Sequence, residues 1–133
     1  MPDSADMELL ERVRHPNILP FLACWETPQH VVLVTELMLG GNLKEFLRHT
    51  GHPRLHVLQA WSRQLLNALH YLHTRKPRIV HRDVNCANIF VEGRLLKLGN
   101  LALAQVMHDG SASGIVGMCP FVCCADPRMT LCH

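Results

Sequence analysis

The sequence predicts an α+β fold in one domain, and three patterns carry that prediction. Two pairs of short β-rich runs are joined by polar or glycine turns, a long run of apolar residues at helical spacing lies between them, and a short amphipathic helix opens the chain. With 133 residues, 48% of them hydrophobic and 18% charged, one modest core can be buried, which sets one domain as the limit.

Taken in order, Met7, Leu10 and Val13 recur at helical spacing behind Asp3 or Ser4 as cap, and Pro16 stops that helix. Residues 18–25 and 31–37 read as strands around the polar turn Glu26-Thr27-Pro28-Gln29, an antiparallel hairpin that Gly40-Gly41 terminates. Asn42 caps a short helix carrying Leu43, Phe46 and Leu47, with Gly51 and Pro53 marking its end. In the long helix Val57, Leu58, Trp61, Leu65, Leu69 and Leu72 form the apolar stripe, and Ser62, Arg63, Gln64 and Asn67 lie off it. Beyond Pro77 a loop leads to a second hairpin, Ile89-Phe90-Val91 and Leu95-Leu96-Lys97-Leu98 around Glu92-Gly93. After Val106 regular structure is not expected: residues 108–114 are flexible by composition, and nothing after Phe121 is periodic.

A formal charge of +2 gives no field strong enough to draw in nucleic acid or an anionic membrane. The apolar run near residues 31–34 is far short of a bilayer span, and the first residues lack the basic and apolar regions of a signal peptide, so a soluble, cytoplasmic protein is expected. Six cysteines, Cys24, Cys86, Cys119, Cys123, Cys124 and Cys132, are then expected as thiols. The last four with His133 lack zinc spacing, because adjacent Cys123 and Cys124 cannot easily face one tetrahedral ion.

His81-Arg82-Asp83, with Asn88 after it, sits between the long helix and the second hairpin. An aspartate that orients a hydroxyl proton and an asparagine oxygen that helps hold a metal over phosphates need this kind of spacing, and the set resembles a protein-kinase catalytic loop. His15-Pro16-Asn17-Ile18 upstream and Lys97-Leu98-Gly99-Asn100-Leu101 downstream follow in kinase order. Leu33-Val34-Thr35-Glu36-Leu37-Met38, Leu72-His73-Thr74-Arg75 and Cys86-x-Asn88-Ile89-Phe90 are similar to the with-no-lysine Ser/Thr kinases, a resemblance that covers residues 5–121.

That resemblance implies a partial protein-kinase-like fold: the end of the small lobe with its β hairpin, then the mainly helical start of the large lobe with the catalytic-loop hairpin. Residues 1–121 would be an incomplete kinase-like domain and 122–133 an irregular Cys-containing tail. It makes Asp83 the base, now vestigial, beside His81 and Arg82. It makes Thr35 the gatekeeper, Glu36 and Met38 the source of hinge backbone groups for adenine, and Phe90 the residue beneath the base. Asn88 and Asn100 become the metal positions, ATP and Mg²⁺ the cofactors, and Leu10, Phe21, His81 and Leu101 a hydrophobic spine.

The departures from the family pattern predict weak chemistry. Asn100-Leu101-Ala102 stands where kinases carry Asp-Phe-Gly, so a neutral amide replaces the anionic metal ligand and Ala102 replaces a flexible glycine. Asn85 replaces the lysine that steadies the transferred phosphate, and Asp6 replaces the helix glutamate without its cationic partner. The Gly-rich loop, the lysine-bearing strands and the later large-lobe helices are expected to be absent, as in a truncated domain. Gly117-Met118-Cys119-Pro120-Phe121 resembles the peptide-docking segment without its threonine, Cys123-Cys124-Ala125 replaces Ala-Pro-Glu, and Ser111 and Ser113 do not align with the regulatory position.

The leading expectation is a catalytically inactive, pseudokinase-like protein. It would bind an intact with-no-lysine kinase or another protein through exposed apolar helix faces, in particular the face bearing Trp61 and Leu65. Residual ATP-dependent Ser/Thr phosphotransfer through Asp83, and a decayed product without function, stand as alternatives.

Overall fold

The computed structural model describes residues 4–108. Helix α1, Ser4–Glu11, buries Leu10 completely and leads into the buried Val13. It closes earlier than Pro16 requires, through bonds from Arg12 N to Leu9 O (3.2 Å) and Val13 N to Leu10 O (3.1 Å), a tightening common where the last carbonyls lose their partners.

Strands β1 (Phe21–Glu26) and β2 (Val31–Thr35) form the expected antiparallel hairpin, with Cys24 opposite Leu33 and a bulge between Phe21 and Ala23. The first strand begins later than residue 18 because Pro20 has no N–H for the ladder. Residues 17–19 turn instead to strand β5 (Leu95–Leu98), with Leu98 N on Asn17 O and Leu19 N on Leu98 O, both at 2.8 Å. Strand β2 stops at Thr35, before the expected residue 37, and the chain runs on to a turn in which Gly41 N donates to Met38 O at 3.0 Å. Gly40 lies so close to Val91 that a Cβ would stand 1.9 Å from that carbonyl oxygen, so only glycine fits.

Helix α2 (Leu43–Thr50) is capped by Asn42, whose side-chain oxygen accepts from Glu45 N at 2.9 Å, and ends at Gly51 in a positive-φ conformation. Helix α3 (Leu55–His73) buries Trp61, Leu65, Ala68 and Leu72 against β5 and strand β3 (Arg78–Val80). Phe46 of α2 meets the Trp61 ring edge-on at 5.7 Å. The face expected to be open is therefore covered, with Trp61 at 4% and Leu65 at 5% exposure. The exposed apolar residues are Leu55, Leu58 and Leu66 on another side of the helix.

The second hairpin, β4 (Ile89–Glu92) with β5, forms as expected with Phe90 opposite Lys97, but Glu92 pairs with Leu95, so the turn is Gly93-Arg94 rather than Glu92-Gly93, with Gly93 at φ +60°. Strand β3 pairs antiparallel with β6 (Gln105–Met107), a ribbon the sequence did not predict, and a 3-10 turn over Leu101–Leu103 precedes it. The described strands thus form three two-stranded ribbons rather than one sheet, and the β3–β6 and β4–β5 ribbons pack on α3 through β3 and β5. Leu10, Phe21, His81 and Leu101, the expected spine residues, are all buried.

Among the described residues no helix is long and apolar enough to cross a membrane, and Cys24 is a free thiol. The expectations for Asp3, Ser111, Ser113, the 117–121 segment, the last four cysteines and the 122–133 tail lie outside the described residues.

Candidate functional site

The loop between β3 and β4 carries the expected residues, and the fold brings most of them together. His81 is 1% exposed. Asp83 N donates to its Nδ1 at 3.2 Å, so Nε2 carries the proton and donates to Gly99 O at 2.7 Å. Burial holds this imidazole below its ordinary pKa, against the weaker upward pulls of the Gly99 carbonyl and the Asp83 charge. His81 therefore works as a neutral strut joining the loop to the end of β5. Arg82, exposed beside it, takes a positive φ of 71°, a conformation that costs a non-glycine residue about 1–2 kcal/mol and turns the chain between His81 and Asp83.

Asp83 is enclosed by amides. Its Oδ1 accepts from Asn85 Nδ2 at 2.8 Å and its Oδ2 from Asn88 Nδ2 at 2.7 Å. Asn88 Nδ2 also reaches the Asp83 carbonyl at 2.8 Å. The Asn88 Oδ1 that faces away from Asp83 accepts in turn from Asn100 Nδ2 at 3.1 Å. Asn100 sits in the left-handed region, φ 59° and ψ 62°, which asparagine tolerates better than most residues. The chain Asn85, Asp83, Asn88, Asn100 is thus a continuous network in which each side-chain amide nitrogen has at least one acceptor.

The sequence flagged Asn85 only as a missing lysine, whereas the fold gives it a partner in Asp83. Asp6, expected to lack a partner, has one at 2.6 Å: His108 Nε2, beyond β6. No local pattern joins residues so far apart in sequence.

The adenine-side residues are less closely grouped with the loop. Thr35 ends β2 and its Oγ1 donates to Glu36 O at 3.3 Å, Met38 is buried, and Phe90 is half-buried with its ring against Gly99, where a Cβ would come within 2.7 Å of Cε2. Glu36 makes an ion pair with Lys97 Nζ at 2.7 Å, a contact between β5 and the segment after β2 that the sequence did not suggest. The Glu36 and Met38 carbonyls each hold an internal bond, and a carbonyl oxygen has a second lone pair to offer.

Magnesium prefers hard, mostly anionic oxygens in near-octahedral array. The loop offers the neutral Oδ1 atoms of Asn88 and Asn100, the first already holding an N–H, and one carboxylate, each oxygen of which already accepts an amide. This donor set does not fit the ion. Among the described residues no group of three or more His, Cys, Asp or Glu side chains is placed to hold a metal.

The family described as "Protein kinase domain" matches residues 4–124. Serine/threonine-protein kinase WNK4 of Homo sapiens is 41% identical over 125 residues, a match that covers 90% of this chain and 10% of that protein. Serine/threonine-protein kinase Wnk of Drosophila melanogaster is also 41% identical, with 88% and 5% covered. The chain therefore spans a tenth or less of the length of these relatives. Among solved structures, Rad53 1-466 in complex with AMP-PNP superposes with a TM-score of 0.67 at 29% identity, covering 74% of this chain and 27% of that one.

Proposed function

The chain belongs to the protein kinase domain family, similar to its with-no-lysine Ser/Thr members, and from that premise we propose that it acts by protein binding and transfers no phosphate. The observation that carries this reading is the Asn100 amide on Asn88 Oδ1 at 3.1 Å. Phosphoryl transfer depends on positioned cations that neutralise the phosphates, and the metal is the largest of them. Here one of the two lone pairs on the Asn88 oxygen already holds an N–H, both metal-side groups are neutral amides, and Asn85, at the lysine position, points its own amide at Asp83.

By resemblance, the hinge segment with Thr35, Glu36 and Met38, and Phe90 on β4, would be the side that meets the adenine of ATP. Without magnesium and a phosphate-neutralising lysine at position 85, the triphosphate contributes little affinity. The partner is an intact with-no-lysine kinase or another protein, met in the cytoplasm, where Cys24 and Cys86 stay reduced. Mg-ATP should leave the melting temperature of the purified protein unchanged, while a pull-down with an intact with-no-lysine kinase domain should recover it. A clear thermal shift together with phosphotransfer would reject the reading.

Residual Ser/Thr kinase activity is the second reading, favoured by the Asp83 to Asn88 contact at 2.7 Å, which keeps the base and the metal-side amide in register. Radiolabelled phosphate transfer that disappears in Asp83→Ala would establish it.

A further inference from the structure

A pocket of about 160 Å³ opens between the C-terminal half of α1, the end of α3 and the start of β3. Its apolar lining comes from Leu9, the Tyr71 ring and the almost fully buried Val13 and Ile79. Its rim is cationic: Arg12, Arg75 and Lys76 are all exposed, and among the described residues none of the three pairs with a carboxylate. The Arg75 guanidinium lies over the Tyr71 ring, 4.3 Å from its centroid, which fixes one cation at the mouth. Tyr71 Oη accepts from Arg14 N at 3.2 Å and, at 3.5 Å, from Arg75 Nη1. Its own proton has no acceptor among the described residues and remains free to donate.

We propose that this pocket docks an acidic peptide segment that inserts one large apolar side chain between the cations. A volume near 160 Å³ suits one phenyl or isobutyl group, since a cavity of about 150 Å³ lined by apolar residues holds benzene. The unpaired cations around it complement carboxylates on either side of that anchor. A nucleic-acid backbone or a lipid surface would use the charges and leave the apolar wall unused. The inference rests on the protein-binding half of the function proposed above and shares no residue with the Asp83 network.

The test is fluorescence anisotropy of the purified protein with a labelled polyglutamate peptide carrying one central phenylalanine. Replacing that phenylalanine by alanine should weaken binding about tenfold or more, the worth of one buried apolar side chain. Arg12→Glu and Lys76→Glu should each weaken it about tenfold, with far-UV melts unchanged. Equal affinity for the phenylalanine and alanine peptides would overturn the proposal, as would tighter binding to phosphatidylserine vesicles or single-stranded DNA than to the peptide. The peptide comparison uses only the unaltered protein, so misfolding of a variant cannot obscure it. Phosphotransfer by a protein that still binds the peptide would reject the inactive reading alone.

Discussion

Gln64 should be a stability determinant out of proportion to its half-buried position. Its Oε1 accepts from Leu96 N and from Asn17 Nδ2, each at 2.9 Å, and its Nε2 donates to Arg94 O at 2.8 Å. In Gln64→Leu, the Leu96 N–H loses its acceptor at a residue only 2% exposed, at a cost of about 1–3 kcal/mol. The Asn17 amide keeps Leu96 O at 2.9 Å but loses its other acceptor, adding about 1 kcal/mol. Arg94 is exposed and its carbonyl rehydrates at little cost. The sum, about 2–4 kcal/mol, is a large share of the roughly 5–15 kcal/mol that holds a domain folded. Gln64→Glu retains the acceptor for Leu96 and Asn17 but turns a carboxylate oxygen toward the Arg94 carbonyl, so it should lose about 1 kcal/mol. Urea titration followed by far-UV circular dichroism and tryptophan fluorescence should place the leucine variant's midpoint about 1–3 M below the parent. A leucine variant within about 0.5 kcal/mol of the parent, or a glutamate variant as unstable as it, would refute the assignment of Oε1 as the joint between α3, β5 and the residue 17 turn.

Gly40→Ala places a methyl group 1.9 Å from the Val91 carbonyl oxygen, so the backbones must separate, and a thermal melt should show a loss of about 1–3 kcal/mol. His81 has a folded pKa below its ordinary 6.5, so as pH falls through 6.5 the unfolded chain takes up a proton that the folded one refuses. Its contribution to stability is full above 6.5 and declines toward the lower folded pKa. An NMR titration in which His81 protonates at or above 6.5 would contradict this. Asn100→Asp replaces the amide donor facing Asn88 Oδ1 by an oxygen, which should destabilise the metal-free protein by about 1 kcal/mol and make its melting temperature rise with Mg²⁺. A variant as indifferent to Mg²⁺ as the parent would mean that the donor set is deficient elsewhere.

The elements legible in the sequence are those whose partners are close along the chain. Asn42 as a cap, the α3 stripe and the β4 to β5 hairpin with Gly93 at its turn all follow from local chemistry. The β3 to β6 ribbon does not, because two three-residue strands far apart in sequence leave no periodic signal. Gln64 was read as a residue off the apolar stripe, since a polar side chain that binds a strand edge looks in sequence like one that faces water. For the same reason Trp61 and Leu65 looked available as a docking face: periodicity finds the apolar side of a helix without saying what covers it. At the site, His81, Asp83 and Asn88 were legible through their spacing. The amide closure by Asn85 and Asn100, and the His108 partner of Asp6, needed the tertiary fold.

The β3 to β6 ribbon also governs how long the site stays assembled. It joins the two ends of residues 81–104, the stretch that contains every member of the amide network, through only three residue pairs. Closing a loop of that length costs entropy that local hairpins avoid, so this ribbon should form late in folding and open early. Amide hydrogen exchange would then find Arg78–Val80 and Gln105–Met107 opening as one cooperative unit, faster than the α3 core beneath them. The persistence of the Asp83 arrangement is therefore set by a short fastener distant in sequence, more than by the strength of its own hydrogen bonds.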